Sequence, residues 1–131
     1  MFSKTQRSTF PYWFAHWCAF QMTALNLGVW KWKYLFHDWE KPWLRLFLPY
    51  SKVQEWHRRH RRHHLEWLDD RHSMLKMDWE TLVIDWECSR FTKESCQRNA
   101  RQEAEHLSSL APYFKMLCST YVIPICDRWN I

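Results

Sequence analysis

The chain has 131 residues, of which 47% are hydrophobic and 25% are charged, and its formal net charge is +5. That length gives one domain with a core of its own, and an aromatic content of 18%, including eleven Trp, excludes a disordered chain. Five cysteines without a C-x-x-C pair exclude both a thiolate zinc site and a disulfide framework.

The first predicted element is a helix from about Thr9 to Asn26, with Gly28 as its stop signal. One glycine and five prolines in the whole chain leave little material for tight hairpins, so an all-α fold is predicted. The first helix is about as long as a membrane span, but four polar residues interrupt it. They are His16, Gln21, Thr23 and Asn26. We therefore expect a buried amphipathic helix without membrane contact, in a cytoplasmic protein whose thiols are reduced and mostly buried.

A second, short helix is predicted through residues 29–39. It should end near Lys41, because Pro42 disfavours helix in the residue before it. The motif "HDWEK", residues 37–41, then forms a helix end. Pro42 itself should fall in the first turn of the next segment.

The second half of the chain predicts further helices. A long helix covers about residues 51–68, and Asp78 is the expected N-cap of the helix that follows. A polar helix covers about residues 93–110. The last apolar segment, residues 113–123, is compatible with either a strand or a helix.

The stretch "EWHRRHRRHHLEWL", residues 55–68, sorts its side chains by chemistry when it is wound at about 100° per residue. One side carries four histidines and the large apolar residues: Val53, Trp56, His57, His60, His63, His64, Trp67 and Leu68. The opposite side carries the arginines: Arg58, Arg59, Arg61 and Arg62. Burying imidazoles without partners costs roughly 1–3 kcal/mol each. The inward histidines therefore favour metal ligation or phosphate contact, and the arginines favour a solvated face.

Other candidate ligands lie on the inward sides of separate predicted helices. His16 lies on the apolar stripe of the first helix, and His37 and Asp38 lie in the last turns of the second. Asp85 lies between two large apolar residues, where a carboxylate needs a cation or good donors. In chain order the candidates read His, His-Asp, His, Asp.

That order, together with "HDWEK", resembles the HD-domain superfamily of metal-dependent phosphohydrolases, in which an HD pair often continues as HD-x-x-K. A closer resemblance is to a family of small, uncharacterised bacterial and phage proteins with HD-x-S-K, H-N-x-HH-x-E-(Y/W) and E-M-x-x-D-W motifs. Here "HDWEK", "HRRHHLEW" and "TLVIDW" stand in the corresponding places, with Glu40 for Ser and Arg61 for Asn. The resemblance implies one HD-like helical domain over residues 1–131, with a motif-bearing core at about 9–110 and residues 111–131 packed on it.

The resemblance also implies a role for each candidate. As ligands of a first metal it implies His16, His37, Asp38 and Asp85. For a second metal or a substrate phosphate it implies His60 and His64, and His63 could replace either. Lys41 would contact phosphate or protonate the leaving group, and together with Asp38 it would form the catalytic pair.

Mixed imidazole and carboxylate ligands suit Mn²⁺, Fe²⁺, Co²⁺ or Zn²⁺ better than Mg²⁺, so one or two such ions are expected. A bound ion lowers the pKa of its water toward ~7 and so favours attack on phosphorus. The leading interpretation is a phosphohydrolase acting on a nucleotide or another phosphorylated small molecule. One alternative is a metal-containing HD-like binding or regulatory protein without hydrolase activity, for example during phage infection. The other is a nucleic-acid binder that uses the four arginines, whose affinity would fall steeply with salt.

Overall fold

The computed structural model describes residues 1–3, 5–60, 76–94 and 97–131, without the side chains of residues 59, 60, 76 and 77. Its α-helices are α1 (Phe10–Asn26), α2 (Glu40–Arg45), α3 (Tyr50–His60), α4 (Lys76–Ser89), α5 (Ala100–Ser108), α6 (Pro112–Leu117) and α7 (Ile123–Arg128). Short 3-10 helices cover Thr5–Ser8 and Trp32–Phe36, and a π-helical turn, Cys118–Val122, joins α6 to α7. The fold is all-α, as predicted, and the β-pairing within the described ranges is one isolated bridge between Phe2 and Lys93.

Helix α1 begins and ends where its local signals predict. Thr9 is the N-cap, and its hydroxyl accepts a hydrogen bond from the Tyr12 N–H at 3.4 Å. Just beyond the last turn, Gly28 has a φ of +72°, a conformation that glycine adopts without steric cost. Of the helices in the described ranges, α1 included, none combines the length and the apolar character that a membrane crossing requires.

Helix α4 is the central helix, because its apolar residues are buried on both sides. Leu82 and Val83 pack in one cluster with residues of α5, α6 and α7. Ile84 and Cys88 pack in a second cluster with Phe20 of α1. Helix α4 is therefore covered on one side by α1 and on the other by α5, α6 and α7.

Helix α4 has four buried carboxylates, and three of them make the following tertiary contacts. Glu80 pairs with Arg128 of α7 at 3.2 Å. Glu87 accepts a hydrogen bond from the N–H of Ala100 at 2.9 Å and so satisfies a donor at the start of α5. The third, Asp85, faces α1 and belongs to the site described below.

The motif "HDWEK" does not end a helix, which corrects the sequence prediction. The 3-10 helix Trp32–Phe36 stops before it, and α2 begins inside it at Glu40. His37 and Asp38 form the corner between the two, and Asp38 has a φ of +54°. Pro42 lies in the first turn of α2, as predicted, where an N–H has no partner within the helix.

Two other predicted boundaries are wrong. Asp78 lies in the first turn of α4 and is not its N-cap. The polar helix begins at Ala100, not Lys93, because a capping box fixes its start. In that box the Asn99 side chain accepts from the N–H of Gln102 at 2.8 Å, and the Gln102 side chain accepts from the N–H of Asn99 at 3.0 Å.

The last apolar segment is helical throughout. Pro124 lies in the first turn of α7, directly after the π-helical turn. Because proline has no N–H and its ring clashes with the carbonyl four residues earlier, a regular α-helix would not continue through it. The wider π-helical turn accommodates the proline, and Leu117, Val122 and Ile125 pack against α4 and α5.

Helix α3 shows the predicted segregation of its side chains in part. Val53 and His57 are buried, and Arg58 is exposed. Trp56, predicted to face the core, is 37% exposed and lies at its edge. Trp67 lies outside the described residues.

The thiols give one experimental check of this packing. Cys88, Cys118 and Cys126 are free and buried, whereas Cys18 is half-buried. Burial raises the pKa of Cys126 to about 11, so only about one thiol in a thousand is ionised at pH 8. Iodoacetamide should therefore alkylate Cys18 well before Cys126 in native protein, as measured by peptide mass spectrometry, and urea should remove the difference. Rapid native labelling of Cys126 would contradict its burial.

Candidate metal centre

Four side chains from distant parts of the chain meet between α1, the corner before α2, and α4. They are His16, His37, Asp38 and Asp85, which are 6%, 4%, 2% and 8% exposed. His16 comes from the inward side of α1, and Asp85 comes from the face of α4 opposite it. The structure thus brings together the four residues proposed as ligands of a first metal, although they are spread over 70 positions of the sequence.

In this cluster each imidazole nitrogen lies near two carboxylate oxygens. The Nε2 atom of His16 is 2.8 Å from Asp85 Oδ1 and 3.8 Å from Asp38 Oδ2. The Nε2 atom of His37 is 3.4 Å from Asp38 Oδ2 and 3.3 Å from Asp85 Oδ1. Two ligands about 2.1 Å from one ion lie about 3.0 Å apart at a right angle and about 3.4 Å apart at the tetrahedral angle. The four nitrogen–oxygen separations are therefore close to those that a single metal ion needs.

The charge of the cluster also suits a divalent cation. Burial opposes ionisation of Asp38. The charges of His37, Lys41 and His57 outweigh this effect and hold the pKa of the Asp38 carboxyl well below its usual value. Burial likewise opposes ionisation of Asp85, but hydrogen bonds from His16 and His37 hold its pKa well below the usual value. Both carboxyls are therefore anionic at neutral pH, and their two charges match those of one divalent ion.

The His37–Asp38 corner is held by a row of side-chain donors on α1. The donors stand four residues apart, on one face of the helix, and each reaches a backbone carbonyl of the corner or of the 3-10 helix before it. The bonds run from Trp13 Nε1 to Asp38 O at 2.8 Å, from Trp17 Nε1 to Leu35 O at 2.9 Å, and from Gln21 Nε2 to Tyr34 O at 2.6 Å. Helix α1 thus supplies one candidate ligand and also supports the left-handed backbone of Asp38.

The ring of His37 is oriented by packing. Phe20 of α1 is fully buried and stacks on it, with ring centroids 3.8 Å apart and an interplanar angle of 16°. Tyr34 also packs against Phe20, edge-on, with ring centroids 5.3 Å apart. A ligand ring held in this way loses little freedom when it binds an ion.

A second group, formed by Asp38, Glu40 and His57, adjoins the first and shares Asp38 with it. The Nε2 atom of His57 is 3.0 Å from Asp38 Oδ1, and its Nδ1 atom contacts Glu40 Oε1. Burial disfavours a protonated His57, but the carboxylates of Asp38 and Glu40 outweigh it and raise its pKa. Such a group can hold a second ion or can orient Asp38 through the Glu40–His57 pair.

The resemblance assigned no role to Glu40 or His57, although His57 is one of the inward histidines for which metal ligation or phosphate contact was predicted. Both carried a signal: His57 shares the inward stripe with the other histidines of its helix, and Glu40 stands inside "HDWEK". The other predicted ligands of this helix cannot be placed. The side chain of His60 and the whole of His63 and His64 lie outside the described residues.

Lys41 lies beside the cluster, as the motif predicts. Its Nζ atom is 3.2 Å from Asp38 Oδ2, one helical turn away in sequence. Burial opposes protonation of Lys41, but the charges of Asp38 and Asp85 outweigh it and raise its pKa. Lys41 is therefore cationic at neutral pH and can donate hydrogen bonds to an anion beside the cluster.

A partly open cavity of about 220 Å³ adjoins the cluster. His16, Asp38 and Lys41 line it on the side of the cluster. Arg7 and Arg45 line it from the N-terminal segment and from α2. A small molecule in this cavity would lie against the candidate ligands and three cationic side chains.

Comparisons of the chain with protein-family models, curated proteins and solved structures found no match. The resemblance to HD-domain proteins therefore remains a prediction from motifs. The finding that stands by itself is a buried pair of histidines and a buried pair of aspartates, arranged so that they can hold a metal ion.

Proposed function

We propose that this protein is a divalent-metal-dependent phosphohydrolase acting on a nucleotide or another small phosphomonoester. The observation that carries the proposal is the His/Asp cluster beside a cavity lined by Arg7, Lys41 and Arg45. A metal site serving structure alone is typically closed by its protein ligands, whereas this one adjoins a space large enough for a ligand. Cations around that space favour an anionic substrate.

The residues of the site would have different roles, according to where each side chain lies. His16, His37, Asp38 and Asp85 would hold a Mn²⁺, Fe²⁺, Co²⁺ or Zn²⁺ ion, which supplies Lewis acidity and makes water more acidic. Lys41 lies on the same side of the cavity and donates hydrogen bonds to the phosphoryl oxygens or a proton to the leaving group. His57 contacts the carboxylate of Asp38 and is itself held by Glu40, so this pair keeps the Asp38 carboxylate in place.

Phosphate release from a panel of phosphoesters tests the proposal. Purified protein is stripped with a chelator, reloaded separately with Mn²⁺, Fe²⁺, Co²⁺, Zn²⁺ or Mg²⁺, and incubated with nucleotides and simple phosphomonoesters. We expect turnover with at least one of the first four ions, and weaker turnover with Mg²⁺, which binds poorly to imidazole ligands. Asp38→Asn should lower turnover by about a hundredfold or more.

The control for that assay is Asp127→Asn, the same chemical change at an exposed residue of α7. It should leave turnover unchanged. Tight metal binding without turnover on the whole panel would reject the hydrolase and favour a metal-containing binding or regulatory protein. Salt-sensitive binding of nucleic acid that is lost when Arg58, Arg59, Arg61 and Arg62 become Gln would favour the nucleic-acid binder.

A further inference from the structure

We propose that the cavity beside the cluster selects phosphomonoesters whose organic part is a single apolar or aromatic ring, over esters of polar alcohols. This inference rests on the proposed function and narrows its substrate class from nucleotides and small phosphomonoesters in general to phosphomonoesters of one apolar ring, which nucleotides are not. The cavity has two chemically different parts, one cationic and one apolar, and each recognises a different part of such a molecule.

The cationic part matches a phosphomonoester. Among the described residues that line the cavity, Arg7, Lys41 and Arg45 carry positive charges and Asp38 carries a negative one. A phosphomonoester has a charge of about −1.5 to −2 at pH 7 and three acceptor oxygens. Arginine side chains bind such a group through paired hydrogen bonds, and lysine binds it as a point charge. Arg45 is held near the cavity by a hydrogen bond from its Nη1 atom to the Leu48 carbonyl at 3.2 Å.

The apolar part consists of side chains from α1, from α3 and from the end of α2. Phe10 and Trp13 come from α1, Leu46 directly follows α2, and Val53 comes from α3. Phe10 and Leu46 are largely exposed although they line the cavity, as expected of residues at its rim. An apolar ring that covers them removes apolar surface of both partners from water.

The size of the cavity sets the size of the organic part. An apolar protein cavity of roughly 150 Å³ holds one benzene ring. A volume of about 220 Å³ therefore has room for a single ring together with a phosphoryl group. An aryl phosphate fits that description, and a glycerol phosphate presents hydroxyl groups to the same apolar walls, where they lose hydrogen bonds to water.

The test compares direct binding of phenyl phosphate, glycerol phosphate and inorganic phosphate to the chelator-treated full chain, by isothermal titration calorimetry without added metal, so that no ester is hydrolysed during the titration. We expect phenyl phosphate to bind roughly tenfold or more tightly than glycerol phosphate. Phe10→Ala should remove most of that preference and leave the affinity for inorganic phosphate unchanged. This variant should fold, because Phe10 is 62% exposed.

Arg7→Gln and Arg45→Gln should each weaken binding of all three phosphates severalfold. The matched control is Lys52→Gln, which removes a charge from an exposed residue of α3 that does not line the cavity. Equal affinity for the two esters, or equal loss for inorganic and phenyl phosphate in Phe10→Ala, would overturn the inference. Binding is measured without turnover, so a ring preference in an inactive protein would reject the hydrolase alone. Turnover without the preference would reject this inference alone.

Discussion

Asp38→Asn is expected to lower the affinity of the protein for Zn²⁺ and Mn²⁺ by about a hundredfold or more. Asp38 is 2% exposed, and its Oδ2 atom lies within 4 Å of both His16 and His37. An amide in its place keeps the shape but leaves Asp85 as the only carboxylate of the quartet to offset the charge of the ion. Asparagine is the best test residue because it tolerates the φ of +54° at this position, whereas alanine would add backbone strain. Isothermal titration calorimetry on chelator-treated protein measures the change.

Thermal unfolding gives a second readout for the same variant. When the free ion concentration is a thousand times the Kd, binding to the folded state stabilises it by about 4 kcal/mol. This stabilisation raises Tm by several degrees. We expect this rise in the natural sequence and in the control Asp127→Asn. In Asp38→Asn a hundredfold weaker affinity reduces the stabilisation at the same ion concentration to about 1.4 kcal/mol or less, so its rise in Tm should be much smaller. An equal rise in all three proteins would show that the ion binds elsewhere, and the cluster would then be a buried network of His–Asp ion pairs.

Phe20→Ala is expected to reduce the free energy of unfolding by about 3–5 kcal/mol, the usual range for removing a fully buried ring. Phe20 is 0% exposed and packs with Ala24, Ile84 and Cys88 in the cluster between α1 and α4. The loss is large against the 5–15 kcal/mol that stabilises a typical domain. Urea denaturation followed by circular dichroism measures it as a lower midpoint.

Phe14→Ala is the matched control, since it removes the same ring from the same helix at a position that is 50% exposed. It should cost about 0.5 kcal/mol, as surface substitutions do. Phe20→Leu keeps most of the volume and should fold even if Phe20→Ala does not. Because Phe20 stacks on His37, the leucine variant should still bind metal more weakly than the natural sequence. Unchanged metal affinity in Phe20→Leu would contradict an orienting role for the ring.

Where the sequence predicted structure correctly, the signal was local. The ends of α1 follow from the cap at Thr9 and the glycine at position 28, which act within a single turn of backbone. The start of α5 was equally readable, because Asn99 and Gln102 have the spacing of a capping box. Charge and polarity alone placed that start too early, in a stretch where Thr92 and Glu94 instead hydrogen-bond to the backbone of Phe2.

The backbone conformation of the corner at "HDWEK" could not be predicted from the residues of the motif. Its apolar neighbours and Lys41 are compatible with a helix, but His37, with a ψ of 124°, and Asp38, with a φ of +54°, depart from helical backbone angles. That departure is stabilised by contacts from elsewhere, among them the bond from Trp13, which is 25 residues distant in sequence. The intrinsic helix propensity of a residue is of the order of 1 kcal/mol or less, so tertiary contacts of this kind can override it.

The residues of the candidate site were also predicted only in part. Helical phase and apolar neighbours identified His16 and Asp85 as buried polar residues that need partners, and the "HDWEK" motif with its resemblance to HD-domain proteins identified His37 and Asp38. The resemblance gave no role to Glu40, which stands inside the motif, or to His57, which lies on the inward stripe of its helix. The Glu40–His57–Asp38 contacts appear only when α2 and α3 fold against each other.

By itself the sequence determined the all-α class, the limits of α1 and the chemical types gathered in the core, because helix caps, periodicity and the burial of apolar residues act through neighbours in the chain. The tertiary structure alone decided that two imidazoles and two carboxylates lie within 4.8 Å of one another and that a cavity adjoins them. The physical reason is that such distances depend on how α1, α4 and the corner between α1 and α2 pack. That packing is set by many small contacts summed over the whole domain, and a short stretch of sequence contains few of them.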